Sequence, residues 1–203
     1  GVSLLGFEQV GDPDRWSLDH VNIRYRSEEH PSPPNACLDA GRGFVGANDG
    51  GSSTGLLLQL AAMLPEQSLR DDVWLVLFDG EESLVLWTGS DHTYGSRHQA
   101  AQWSVDGTAE RIKALINVDM IGDADLRLAY EQQSTLWLRD LVWDVGTRLG
   151  YTEVFANRRL TYIDDDHVSF LQVGIPAVDL IDFDYGAGNQ YWHTEQDTLD
   201  KLS

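Results

Sequence analysis

The sequence predicts an α/β fold, and three observations carry that prediction. From residue 46 onward, short apolar runs alternate with helix-period patterns, as in strands joined by helices. The apolar runs are continuous rather than alternating, which suits strands covered on both faces of a sheet. No repeat, low-complexity tract or internal boundary divides residues 46–203.

Residues 1–45 are expected to be an irregular or truncated amino-terminal segment, because Pro31, Pro33 and Pro34 lie there with Ser and Asn between them. Thr54 to Leu64 carries Leu57, Leu58, Leu60, Ala61 and Leu64, a helical stripe stopped by Pro65. Val73 to Phe78 predicts a fully buried strand, and Gly95 to Trp103 a short helix. Ala114 to Val118 predicts a second strand. Ser134 to Leu149 predicts an amphipathic helix with its stripe at Leu138, Leu141, Val142, Val145 and Leu149, Ser134 as its cap and Gly150 as its stop. His167 to Val173 predicts a short helix closed by Gly174, and Ala177 to Ile181 a third strand.

A chain of 203 residues predicts one domain with a sizeable core. With 14 basic and 33 acidic side chains, its net charge of −19 repels nucleic acid and anionic membranes. Solubility is the plain reading of that charge; attraction for cationic amino termini is the functional one. The apolar runs are too short to span a bilayer. No charged-then-apolar segment opens the chain, as where a targeting peptide has been removed or never existed. Cys37 alone cannot close an internal disulfide, so cysteine usage does not fix the compartment.

Four short segments end in groups suited to a metal site: Gly-Ala-Asn-Asp (46–49), Asp-Gly-Glu-Glu (79–82), Asn-Val-Asp-Met (117–120) and Trp-His-Thr (192–194). An oxygen-rich set with one imidazole suits a catalytic zinc better than a structural one, which usually takes Cys or His at short spacing. The segments follow predicted strands or their loops, and open α/β sheets bind ligands beyond the carboxyl ends of strands. Each has a plainer reading. Asp49 alone is a turn residue, and Glu81-Glu82 alone is an acidic loop. As a working pair, one of these glutamates binds the metal while the other moves a proton. His193 is flanked by Trp192 and Thr194, with Asp197 placed to orient it. Asp164, Asp165 and Asp166 precede a predicted helix, where one Asp caps; three crowded together have raised pKa values and can share protons. Trp87 and Trp192 lie close in sequence to these residues and suit an aromatic pocket wall. No nucleophile motif competes: Gly-x-Ser-x-Gly is absent, and Gly50-Gly51-Ser52-Ser53 lacks the lysine of a phosphate loop.

Together the segments resemble the zinc-dependent glutaminyl cyclases (glutaminyl-peptide cyclotransferases) and their relatives, the M28 zinc aminopeptidases. The resemblance rests on the segments at 46–49, 78–82, 91–97, 118–122, 165–170, 174–178 and 192–194, in that order, and covers the chain from about residue 44 on. It implies a three-layer sandwich, zinc-aminopeptidase-like, with a mostly parallel mixed central sheet flanked by helices and without the family's first strands. It also implies that residues 46–203 form the catalytic domain. Asp49, Glu82 and His193 would bind one zinc ion, Glu81 would be the general acid/base, and Asp119 and Asp165 would form a proton relay. Trp87 and Trp192 would line the substrate pocket.

The implied reaction turns amino-terminal glutamine of a peptide or protein into pyroglutamate with loss of ammonia, in a monomer that is periplasmic or secreted. Trp87 and the Asp-Asp-His and Trp-His-Thr segments lean towards cyclase. The alternative is an aminopeptidase with two zinc ions, Asp49 bridging and Asp119 a ligand. The His-x-Asp segment that both subfamilies carry upstream of Gly-Ala-Asn-Asp is matched neither at His20 nor at His30. That gap counts against the two-metal reading. A non-catalytic zinc- or peptide-binding domain is the third possibility.

Overall fold

The computed structural model describes residues 45–66 and 69–203. Expectations for residues 1–44, including those at His20, His30 and Cys37, lie outside the described residues. Helix α1 (Gly51–Met63) is followed by α2 (Tyr94–Asp106), strand β1 (Leu115–Asp119) and strand β2 (Tyr130–Glu131). Then come α3 (Leu136–Arg148), β3 (Leu160–Thr161), α4 (Asp166–Gln172) and β4 (Ala177–Ile181). β1 and β4 run parallel with Leu115 opposite Ala177 and Asp119 opposite Ile181, and the short β2 and β3 are also parallel. The fold is mixed α/β with parallel strands.

The pleat sorts the core into two sides of the β1–β4 pair. Leu115 and Ala177 pack with Phe170 of α4 and with Ala100 and Trp103 of α2. Leu180, on the opposite face of β4, packs with Trp143 of α3. Helices therefore cover both faces, and both strands deliver their carboxyl ends to one edge of the molecule.

Val73–Phe78 differs from expectation: it is not a strand. A strand needs a ladder partner, and no described residue provides one. Side chains hold the segment instead. Leu75 packs with Leu57 of α1, and Phe78 lies 5.2 Å from the Phe170 ring. Its side chains face both ways: Leu75 and Leu77 pack towards α1, Trp74, Val76 and Phe78 towards the α2–α4 core, and Val73 is exposed.

In α3 the cap falls at Thr135, with no side-chain capping bond. Ser134 is unavailable because its hydroxyl donates to Glu131 and accepts the Asp179 N–H. The buried face of α3 is Leu138, Trp143 and Gly146, while Leu141 and Leu149 are exposed. Leu58 of α1 is likewise exposed. Gly150 at φ +96° and Gly174 at φ +85° follow the ends of α3 and α4 in the left-handed conformation that stops a helix. Among the described residues no helix is long and apolar enough to cross a membrane.

Candidate metal centre and pocket

Asp49 sits in the loop that opens α1, and a single buried side chain fixes it. The Asp197 carboxylate accepts the N–H of Asn48 (2.8 Å), the N–H of Asp49 (3.0 Å) and the Tyr185 hydroxyl (2.9 Å). Asp197 thus organises the Asp49 loop; the role of orienting His193 that the sequence suggests is not the one its contacts show. The loop is also tied to the end of β1. Gly122 N–H donates to the Asn48 side chain at 2.7 Å, and Ile121 N–H to the Ser52 hydroxyl at 3.0 Å.

Glu81 and Glu82 follow the buried Val73–Phe78 segment. Their loop is pinned by the start of α2, where the N–H groups of Thr93, Tyr94 and Gly95 donate to the carbonyls of Glu81, Gly80 and Asp79 at 2.6–2.8 Å. Gly95 permits this approach: a Cβ there would lie 2.4 Å from the Asp79 carbonyl oxygen. Asp119 ends β1, and Asp165 caps α4, accepting the Asp166 N–H at 2.5 Å. Asn117, two residues before Asp119 on the same face, donates to Asp165 (2.8 Å) and to Asp179 (3.0 Å). Three residues around the site have positive φ without being glycine: Thr93 (48°), Met120 (46°) and His193 (56°). Such conformations concentrate where a fold over-determines a functional site.

Asp49, Glu82 and His193 converge. His193 Nε2 lies 3.2 Å from Asp49 Oδ2 and 3.1 Å from Glu82 Oε1, and one donor atom of each residue falls within 4.8 Å of the others. This is a set that could hold a metal ion. Glu82 Oε2 is buried and accepts no hydrogen bond from a described residue. A buried carboxylate oxygen without a donor, in a nest of carboxylates, fits a cation. Burial and then the Glu82, Asp166 and Asp49 carboxylates push the Glu81 carboxyl up to about 8. Burial, then Asp49, Glu81 and Asp179, raise Asp119 well above the usual carboxylate range. Burial, then Asp179, Asp119 and Glu81, do the same to Asp165.

One cavity of about 400 Å³ is lined by all eight residues to which the family resemblance gives a role: Asp49, Glu81, Glu82, Trp87, Asp119, Asp165, Trp192 and His193. Trp192 stacks on His193 with centroids 3.8 Å apart, and Phe183 meets it edge-on at 5.0 Å. Trp87 stacks on His92 at 4.4 Å, and its Nε1 donates to Asp164 at 3.3 Å. The sequence offers no signal for Tyr162, Phe183 or Asn117, and it marks Asp164 only as one of three crowded aspartates. Asn117 stood inside a quoted segment, but nothing in its local pattern distinguishes it from a core amide. A second buried cluster joins Asp165, His167 and Asp179. His167 Nε2 pairs with Glu131 at 3.2 Å, and its Nδ1 lies 3.7 Å from Asp179.

Residues 18–203 match the family model of peptidase family M28. The chain belongs to that family. This M28 chain is 30% identical over 180 residues to a glutaminyl-peptide cyclotransferase of Drosophila melanogaster, a match covering 76% of this chain and 49% of the relative. Among solved structures it resembles a glutaminyl cyclase of an Acidobacteriales bacterium, at 43% identity and a TM-score of 0.74, over 79% of this chain and 56% of that one. It also resembles a zinc-dependent exopeptidase of Parabacteroides distasonis, at 26% identity and a TM-score of 0.66, over 78% of this chain and 58% of that one. The M28 chain spans about half the length of the curated relatives it matches. Family membership and the exopeptidase likeness point to zinc as the metal.

Proposed function

We propose that this chain carries the active site of a glutaminyl-peptide cyclotransferase, with one zinc ion, acting on peptides and proteins with a free amino-terminal glutamine. The observation that carries this reading is the convergence on one cavity of a single three-donor set, a buried carboxyl beside it and two tryptophans. The 43% identity to a glutaminyl cyclase supports it.

Asp49, Glu82 and His193 would hold the zinc. Bound there, it supplies Lewis acidity towards the glutamine side-chain carbonyl. Trp87 and Trp192 flank the side chain and exclude water. The substrate's own α-amine nitrogen attacks the δ-carbon. Glu81 takes the proton that this nitrogen sheds and returns it to the departing amide nitrogen, which leaves as ammonia. One C–N bond forms, one breaks, and no water is consumed. Asp119 and Asp165 would hold the proton network with Glu81 and stabilise the positive charge that develops on the attacking nitrogen. Nucleophile and electrophile share one molecule, so the residues chiefly orient and stabilise.

The exopeptidase likeness is the observation behind a second reading, an aminopeptidase with two metals, Asp49 bridging them and Asp119 a ligand. Mass spectrometry of a Gln-initiated peptide incubated with zinc-loaded protein separates the two. Loss of ammonia with the chain intact is the expected result. Release of the free first residue, with about two zinc ions per chain, overturns it in favour of the peptidase.

A further inference from the structure

The segment Leu84–Trp87 forms one wall of the cavity, through Val85, Leu86 and Trp87. It is an unlikely wall on hydrophobic grounds: Leu84, Val85 and Leu86 are 44%, 57% and 62% exposed, so burial does little to hold it. Beside one backbone bond, from the Thr88 N–H to the Leu86 carbonyl at 2.7 Å, one carboxylate holds it. Asp91 accepts the N–H of Leu84 at 3.0 Å, of Val85 at 2.8 Å and of Leu86 at 3.0 Å, and the Tyr94 hydroxyl at 2.6 Å. The Tyr94 hydroxyl and then the backbone N–H groups keep the Asp91 carboxyl far below the usual range, so it stays ionised and accepts from all four donors. Asp91 is tied through Tyr94 to the start of α2, where the Thr93 N–H also pins the Glu81 carbonyl. The wall and the acid/base carboxyl are thus registered to the same helix end.

We infer that Asp91 is a positioning residue that shapes the Leu84–Trp87 wall, and that it governs how tightly an amino-terminal glutamine is held more than how fast it reacts. This inference rests on the cyclotransferase reading for its substrate and on the hydrogen bonds for its mechanism. Trp87 reaches its place through this loop. Its stacking on His92 and its bond to Asp164 fix the indole once the backbone brings it there, and neither contact orders residues 84–86. An asparagine at position 91 would turn an amide NH2 towards backbone N–H donors, so Asp91→Asn breaks the cluster with almost no change of shape.

The test uses the whole zinc-loaded chain, comparing wild type, Asp91→Asn and Tyr94→Phe. One readout is steady-state kinetics on a Gln-initiated dipeptide; the other is amide hydrogen exchange at residues 84–86 against β1 and α4. For Asp91→Asn the expected rise in KM is about tenfold, equivalent to about 1.4 kcal/mol. The accompanying change in kcat is expected to stay below about threefold. Exchange at residues 84–86 accelerates while β1 and α4 stay protected, which a general loss of stability would not produce. Tyr94→Phe leaves the three N–H contacts and raises KM about twofold. Unchanged exchange at residues 84–86 in Asp91→Asn, or a fall in kcat with KM unmoved, overturns the inference. If wild type cyclises no glutaminyl peptide, the cyclotransferase reading fails, and the exchange comparison alone still decides whether Asp91 builds the wall.

Discussion

Replacing Asp197 with Asn tests whether a residue outside the donor set builds the metal centre. Asp197 is fully buried and accepts three hydrogen bonds, two of them from the backbone of Asn48 and Asp49. Asparagine keeps one oxygen and turns an amide NH2 towards a backbone N–H that the carboxylate now accepts. A hydrogen bond to a charged group contributes about 1.5–3 kcal/mol, and an unsatisfied buried donor costs about 1–3 kcal/mol. The sum for one lost bond and one stranded donor is about 2.5–6 kcal/mol, a large part of the roughly 5–15 kcal/mol typical of a folded domain. The same change lets the Asp49 carboxylate drift from Glu82 and His193. Disturbing such supporting contacts typically weakens metal binding by about 10–100-fold. Urea denaturation of the metal-free protein reads the first effect, and zinc competition against a chelator reads the second. A variant within about 0.5 kcal/mol of wild type, the range of ordinary surface changes, that also binds zinc normally would refute the assignment of Asp197 as the support of Asp49.

Gly95→Ala places a Cβ against the Asp79 carbonyl and forces α2 away from the Glu81 loop; the expected cost is about 1–3 kcal/mol by thermal melting, with activity falling further than stability alone explains. Glu131 carries a pH prediction. Its burial would raise its pKa, but His167, the Gln133 N–H and Ser134 together hold it down at about 2. A depressed acid contributes stability that is complete above the unfolded carboxyl value and is lost as pH falls through the folded one. The stability gap between wild type and Glu131→Gln is therefore expected to close as pH falls from about 4.5 to about 2. At the alkaline end the opposite sign applies to His167. Burial lowers its pKa, but Asp179 and Glu131 more than offset this and raise it, so its contribution is present below the ordinary histidine value and is lost as pH rises through the raised one. Titrating chemical denaturation midpoints of both proteins checks the two slopes.

The helices and strands β1 and β4 were legible because their signals are local, whereas the two-residue β2 and β3 are too short to leave one. Gly150 and Gly174 mark helix ends by backbone conformation, and Leu115 to Asp119 is apolar enough to demand cover on both faces. Val73–Phe78 misleads for the opposite reason: its composition describes burial, whereas strand character depends on a partner that composition cannot name. The face of α3 was half legible. Leu138 is inside as its period requires, but the other large contact is Trp143, whose Nε1 donates to the carbonyl of Asn157. At the site, each proposed ligand ends or follows a recognisable segment, so types and positions could be read. What holds them could not. Asp197 is 148 residues from Asp49, and Asn117 is 48 from Asp165. Such pairs come together only when the chain has folded. Asp91 lies in the 91–97 segment, but its task depends on a loop turning back onto it.

Glu81→Gln separates acid/base chemistry from metal binding within one Glu-Glu pair. Only Glu82 belongs to the three-donor set with Asp49 and His193. Glu81 is 8% exposed, and its carboxyl is pushed up to about 8, so it exchanges a proton near neutral pH more readily than an ordinary carboxylate. Glutamine preserves the shape and removes the titration. If Glu81 moves the proton between the α-amine and the leaving nitrogen, kcat falls by about 10²–10⁴-fold, the usual contribution of general acid–base catalysis. Zinc content, measured by elemental analysis after dialysis, stays near one per chain because the donor set is intact. KM changes little, since the lost interaction belongs to the transition state. A variant that loses its zinc would instead make Glu81 a structural partner of the ligands. One that keeps both zinc and near-normal turnover would move the proton transfer to Asp119 or Asp165, the remaining buried carboxyls of the cavity.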